Sequence, residues 1–571
     1  MEPLTERTLK HLLERSVHLY RNRPALGFVD EPTVSYADLQ HEVNRMQRLL
    51  LELGVVHGDR VAILGESSSN WGVAYFATTT MGAIAVPILP DFHATEVHHI
   101  IRHSGCKVVF VSERSYQKIE SMDAGTLLAL VLLNNLSPIH PKTSKDKLRA
   151  LIREGGKELR RVRNKALKIA GRIKTGVSED DVASIIYTSG TTGHSKGVML
   201  THRNIVWNAE ASAKIPQITQ DDRMLSVLPL AHVYECTLGL VLPVLCGASV
   251  TYLRKPPTGA VLLPALASVK PTAMLTVPLI IEKIIKSGVM KEIQKRRAVR
   301  LLYRLPVFRR RINRMAGRRL RMMFGGHLRF FGIGGSALSP DAERFLIEAE
   351  FPYAIGYGLT ETSPLVAGCN AETSRFRAIG PVLPGVEVKI DGSSPGAATG
   401  EILVRGPGIM KGYYLDPKRT EEVLSQDGWF RTGDLGSFDR DGYLYIRGRK
   451  KNVILGPSGE NIYPEAVESV INRFDIVLES LVFSDQGQLV ARIVLDYERL
   501  DAEFSERRLT ESQAKERIRQ LLEQIRLHVN EQVSSFSRLA RVIEQTEPFE
   551  KTPTQKIKRY LYADPGEHRA L

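Results

Sequence analysis

The residues best suited to chemistry begin at an apolar run, Ile185–Tyr187, that leads straight into T-S-G-T-T-G-H-S-K-G over 188–197. Glycines let backbone N–H groups approach an anion, hydroxyls add donors, and one lysine supplies charge, so the segment has the composition of a phosphate-binding loop. A flexible Ser/Thr/Gly-rich surface loop would not require this order of residues. Nor is it a Walker loop, because Lys196 is followed by Gly197 and the G-x-x-x-x-G-K-[ST] spacing is missing. Six further segments carry chemistry-bearing residues in order along the chain. They are LPLAHVYE (228–235), FFGIGGSALSP (330–340), GYGLTETSP (356–364), GWFRTGDLG (428–436), GRKKNVILGPSGENIYP (448–464) and TPTQKIKRY (552–560).

The elements that must hold these segments follow from their patterning. Apolar, β-branched runs at 60–64, 82–88 and 107–111 alternate with helical patterns, and the same rhythm returns at 249–253, 273–277 and 328–333. Strands separated by helices of ordinary length predict parallel βαβ units around a buried sheet. From 380 to 445 the texture changes to short strands among glycines, predicting an antiparallel meander. After Arg449 a third texture starts: a helix from Pro464, a strand pair at 479–484 and 488–496, and a long helix over 511–532. The expectation is a small α+β domain able to fold separately, with no internal repeat.

Composition narrows the class. Of 571 residues, 43% are hydrophobic and 25% charged, which excludes disordered, collagen-like and disulfide-stapled proteins. The four cysteines are scattered with no C-x-x-C pair, so no zinc ribbon or redox dithiol is expected and a reducing cytosol is the natural compartment. The N-terminus is charged and amphipathic, unlike a signal peptide. The apolar stretch 237–250 is too short to span a bilayer and is broken by Pro243 and Gly247. The net charge of +15 is concentrated: 142–174 holds 13 Lys/Arg against 3 Asp/Glu, and 295–321 holds 12 Lys/Arg and no acid, leaving a mildly acidic remainder.

Taken in order and at these distances, the motifs resemble those of the adenylate-forming superfamily: acyl-CoA synthetases, luciferases and peptide-synthetase adenylation domains. The resemblance covers almost the whole chain. It implies an α/β fold with a large multi-sheet N-terminal body, 1–449, that binds ATP and the acid, and a smaller mobile α+β lid, 450–571. It also implies attack of a carboxylate on the ATP α-phosphate, loss of pyrophosphate, and transfer of the acyl group from the adenylate to a thiol. Thr188, Ser189, Gly190, Thr191, Thr192, Gly193 and Lys196 would then cradle pyrophosphate, with Thr191 and Lys196 acting catalytically. Gly334, Gly335 and Ser336 would border the adenine edge, Tyr357 beside Gly358 would stack on adenine, and Thr360 would donate to phosphate. Glu361 would hold Mg²⁺, a hard cation that needs few protein carboxylates. Asp434 and Arg449 would bind the ribose, and Lys451 would stand at the hinge. Lys556 would be the catalytic lysine at the carboxylate and α-phosphate, although Gln555 precedes it where most members have glycine, and Lys551 and Lys558 lie close by. His232 would lie beside the acyl carboxylate and the path of the thiol.

LPLAHVYE, with Glu235, is nearer the long-chain fatty acyl-CoA synthetases than the aryl or acetyl enzymes. The expected substrates are a fatty acid, ATP and CoA, with an acyl carrier protein or another protein acceptor as the alternative. In 295–321, helical periodicity puts Phe308, Ile312 and Met315 on one face and Arg310, Arg314 and Arg318 (or Arg321) on another. A cationic amphipathic helix predicts contact with an anionic membrane surface. Nucleic acid is not expected, because aromatic interleaving and a reading motif are lacking. The expected location is cytoplasmic, peripheral to the inner face of the membrane if that helix adsorbs.

Overall fold

A computed structural model describes residues 4–120, 122, 127–139, 176–188, 195–295, 297–392, 399–456, 460–507, 509–552 and 556–562. Two eight-stranded sheets dominate the N-terminal part. One runs, edge to edge, through Gly412–Tyr413, Lys196–Thr201, Val182–Thr188, Ile84–Ile88, Arg60–Leu64, Val108–Val111, Ala129–Leu132 and Ser137–Ile139. Its interior pairs are parallel and its margins antiparallel. All four side chains of Val108–Val111 are buried, the uninterrupted apolar run that a strand covered on both faces requires. The second is built around the parallel strands Ser249–Tyr252, Arg223–Ser226, Ala273–Thr276, Phe330–Ile333 and Tyr353–Gly358. Helix Ser69–Thr80 is buried along nearly its whole length and stacks Trp71 on Tyr75 at 5.5 Å.

The strands expected at 60–64, 82–88, 107–111, 249–253, 273–277 and 328–333 are all present within a few residues. The apolar stretch 237–250 resolves into a π-helical turn Cys236–Val241, a helix Leu242–Cys246 and a strand starting at Ser249. The expected meander is a four-stranded antiparallel sheet: Glu387–Asp391, Gly400–Arg405, Phe430–Phe438 and Leu444–Arg449. Beyond it, helices Pro464–Ile471 and Glu511–Gln532 pack on a three-stranded sheet of Val477–Asp485, Gln488–Leu495 and Arg541–Glu544 with its own apolar core. The long helix starts at a Thr510/Gln513 capping box, which satisfies otherwise orphaned N–H groups at its first turn. No helix among the described residues is long and apolar enough to cross a membrane. The basic segment 142–174 lies outside the described residues.

Candidate active site

Strands Val182–Thr188 and Lys196–Thr201, which flank residues 189–194 in sequence, pair antiparallel with Thr188 opposite Lys196. Ser189, Gly190, Thr191, Thr192 and Gly193 lie outside the described residues. Thr188 Oγ1 is buried without a hydrogen-bond partner among the described residues, an orphaned donor at the base of the loop.

Across from it the strand Tyr353–Gly358 ends in a short turn, Thr360–Thr362. Gly358 is dictated by space: a Cβ there would stand 1.8 Å from the Pro364 carbonyl oxygen. Asn208 Nδ2 donates to the carbonyls of Thr362 (3.3 Å) and Leu365 (2.9 Å), which pins the turn. Thr360 and Glu361 are both buried in it. The Glu361 carboxylate accepts from Lys196 Nζ at 2.6 Å and from Tyr413 OH at 3.0 Å, and Lys196 also donates to the Tyr413 hydroxyl at 2.7 Å. Burial alone would raise the Glu361 pKa. The charge and hydrogen bond of Lys196, with the tyrosine, reverse that and hold it below the ordinary carboxylate range. An ionised, rigid carboxylate results beside a cation, next to the loop. Among the described residues no group of three or more His, Cys, Asp or Glu side chains could cage a metal, so a Mg²⁺ ion here would rest on Glu361 with substrate oxygens and water.

A second cluster of polar residues is assembled from three strands. Tyr357 OH donates to Asp434 Oδ2 at 2.9 Å, and Arg449 Nε contacts Asp434 Oδ1 at 2.8 Å. Asp434 and Arg449 are register partners in adjacent strands. Asp434 is buried whereas Arg449 is only partly covered, so the pair presents a fixed carboxylate and a guanidinium with room for further partners. Gly334 follows strand Phe330–Ile333, and a Cβ there would press on the Tyr234 ring at 3.1 Å. Gly335 has φ +88°, a left-handed conformation suited to glycine, and Ser336 is exposed after it.

His232 caps the short helix Val233–Glu235: its Nδ1 accepts from the Tyr234 N–H at 3.2 Å. The neutral tautomer therefore carries its proton on Nε2. Burial, reinforced by the positive charge of Lys556, drives the ring's pKa down to about 4. Lys556 comes from the C-terminal part, where its N–H donates to Thr552 Oγ1 at 3.2 Å. Its own pKa is lowered, first by the protein mass around it and then by Arg449, against the pull of Asp434 and Glu361. The residue keeps substantial solvent exposure despite that desolvation. Lys551 and Lys558 are occupied elsewhere, on Glu479 and Glu550.

The structure thus brings together Lys196, Glu361, Tyr357, Asp434, Arg449, His232 and Lys556, which are scattered over 361 positions of sequence. Lys451 is exposed in the turn Lys450–Asn452. Its neighbour Lys450 is also exposed and pairs with the buried Glu401 at 3.1 Å. Tyr413 was not found from sequence. It lies on the two-residue strand Gly412–Tyr413, paired with Met199 and Val198, and a KGYY tetrapeptide gives no local sign of that partnership.

The chain belongs to the AMP-binding enzyme family, whose model matches residues 13–414. It is 30% identical over 491 residues to a long-chain-fatty-acid–CoA ligase of Mycobacterium bovis, covering 81% of this chain and 77% of the relative. It is 29% identical to a putative acyl-CoA synthetase of Bacillus subtilis, covering 84% and 85%. Among solved structures, the ATP-bound RpMatB–BxBclM chimera B1 superposes with a TM-score of 0.76 at 25% identity over 98% of each chain. The o-succinylbenzoate CoA synthetase of Bacillus subtilis gives 0.72 at 24% identity over 97% of this chain and 98% of that one.

Proposed function

We propose that the chain activates a long-chain fatty acid as its acyl adenylate and transfers the acyl group to CoA. In this reading residues 1–449 bind ATP and the acid, and 450–571 form a lid that turns about Lys451. A carboxylate oxygen of the acid attacks the α-phosphorus, the bond to the bridging oxygen breaks, and pyrophosphate leaves. The CoA thiol, surrendering its proton, then attacks the acyl carbonyl, and AMP departs with the electron pair of the broken C–O bond. A Mg²⁺ ion on Glu361 would offset phosphate charge.

The chain's own residues have distinct tasks. Lys196 and the loop 188–193 hold the leaving pyrophosphate, Thr360 donates to phosphate, and Asp434 and Arg449 take the ribose hydroxyls. Tyr357 and Gly334–Ser336 flank the base. His232, neutral above about pH 4, offers its Nε2–H to a carboxylate or carbonyl oxygen without the electrostatic trap that an imidazolium would set. Lys556 places a cation where negative charge develops. What supports the reading is that the charge of Lys556, from the C-terminal part, bears on His232, and that Arg449, Asp434 and Glu361 bear on Lys556. The long-chain preference rests on the LPLAHVYE segment and on the names of the relatives.

An acid-panel pyrophosphate-release assay with and without CoA tests this. Turnover on long-chain acids that depends on CoA and yields the thioester is expected. Pyrophosphate release with no CoA dependence would mean that the adenylate passes to a protein acceptor, such as an acyl carrier protein. No release with any fatty acid would reject the substrate class.

A further inference from the structure

Helix Pro306–Met323 packs on the body by an unusual face. It buries Asn313, Gly317 and Leu320. Asn313 accepts from Tyr303 OH (2.9 Å) and donates to Glu348 (2.7 Å), while at Gly317 a Cβ would stand only 2.2 Å from the Ala349 carbonyl oxygen. Arg309 and Arg314 brace the same side, on Glu348 at 2.8 Å and Glu350 at 2.6 Å. The helix is thus held to the body at 313, 317 and 320, and not by Phe308, Ile312 and Met315, the apolar face that the sequence periodicity expects at a membrane surface.

The consequence lies on the opposite side. Phe308, Met315 and Met322, seven residues apart and so stacked on one stripe, are 41%, 62% and 72% exposed. Arg311 and Arg318 flank the stripe on one side and Arg319 on the other. All three are exposed and in no ion pair among the described residues. No acidic residue occurs anywhere in 295–321.

We infer that this face docks on an anionic lipid surface, the methionines and phenylalanine entering the headgroup–acyl boundary and the arginines meeting lipid phosphates. An exposed apolar stripe on a folded protein calls for a partner, and its cationic border requires that partner to be anionic. A second copy of the chain does not fit, since two-fold pairing of the stripe would set arginines against arginines. A nucleic acid would use the arginines and leave the methionines in water.

Full-length protein should co-sediment with vesicles of phosphatidylcholine containing 30 mol% (roughly one lipid in three) phosphatidylglycerol, and much less with pure phosphatidylcholine. Replacing Arg311, Arg318 and Arg319 together by Gln should weaken that binding about 100-fold, since each basic residue near such a surface contributes about 5-fold. Met315→Gln with Met322→Gln should abolish the salt-resistant remainder of binding while leaving the arginines intact. Both variants should keep the wild-type unfolding midpoint and normal pyrophosphate release with a soluble short acid, which separates loss of docking from loss of fold. Failure of the wild type to bind anionic vesicles overturns the inference. So does undiminished vesicle binding by the folded arginine variant, or wild-type binding to duplex DNA as tight as to the vesicles.

Discussion

Tyr413 joins the two charges on which the phosphate end of the site depends, accepting from Lys196 and donating to Glu361. Removing the hydroxyl leaves the ring, so Tyr413→Phe should fold normally. Hydrogen bonds to charged groups contribute roughly 1.5–3 kcal/mol, so kcat/KM for ATP should fall by about 10-fold or more in a pyrophosphate-release assay. An unchanged value would make the hydroxyl a bystander. Glu235 is a different case, buried with one carboxyl oxygen accepting from Ser226 at 2.5 Å and the other without a partner among the described residues. Burial pushes its pKa up from 4.5 to about 8, only partly opposed by the Ser226 hydrogen bond. The unfolded chain ionises near the ordinary value, while the folded protein retains the proton, so stability must decline as pH rises between about 4.5 and 8. One proton is involved, and the decline is at most about 1.4 kcal/mol per pH unit. Glu235→Gln should flatten that part of the stability–pH profile, measured by denaturant unfolding from pH 5 to 8 (roughly the window over which the proton is lost). A variant profile parallel to the wild type would show that Glu235 does not titrate there.

Among the elements, strand Tyr353–Gly358 has no space for a side chain at its last residue. Gly358→Ala would drive a methyl into the Pro364 carbonyl, and because the obstacle is backbone, it cannot swing aside. A stability loss of at least about 1–3 kcal/mol is expected, with adenylation impaired further because Thr360 and Glu361 move with the turn. A variant of wild-type stability in chemical denaturation would mean the turn has slack. The parallel strands and the meander were legible in the sequence, because their alternations and glycines are local signals. Pairings across the sheet were not. Tyr413 reaches Glu361 only because its short edge strand pairs with Lys196–Thr201, more than 200 residues away in sequence. The seating of helix Pro306–Met323 on Asn313 and Gly317 was not legible for a related reason. Amphipathic periodicity reports where apolar residues lie, whereas the packing of Gly317 against Ala349 depends on a close approach that hydrophobicity does not encode.

At the scale of the whole molecule, one lysine of the C-terminal part, Lys556, feels the charges of Arg449, Asp434 and Glu361 from earlier in the chain. Lys558, two residues on, pairs with Glu550, and Lys551 with Glu479, so Lys556 alone of the three is positioned among Arg449, Asp434 and Glu361. If the lid must leave to admit the thiol, Lys556 belongs to adenylation only. Loss of a cation aimed at developing negative charge should slow that step by about 10²–10³-fold, by analogy with oxyanion donors. The decisive measurement is therefore to follow the two half-reactions of Lys556→Ala separately, with Lys558→Ala as the control for lost tail charge. Acyl-adenylate formation from fatty acid and ATP should collapse in Lys556→Ala. Transfer from supplied acyl-AMP to CoA should continue at a near-normal rate, and Lys558→Ala should spare both steps. Equal loss of both half-reactions in folded Lys556→Ala, or loss of adenylation in Lys558→Ala alone, would contradict the account.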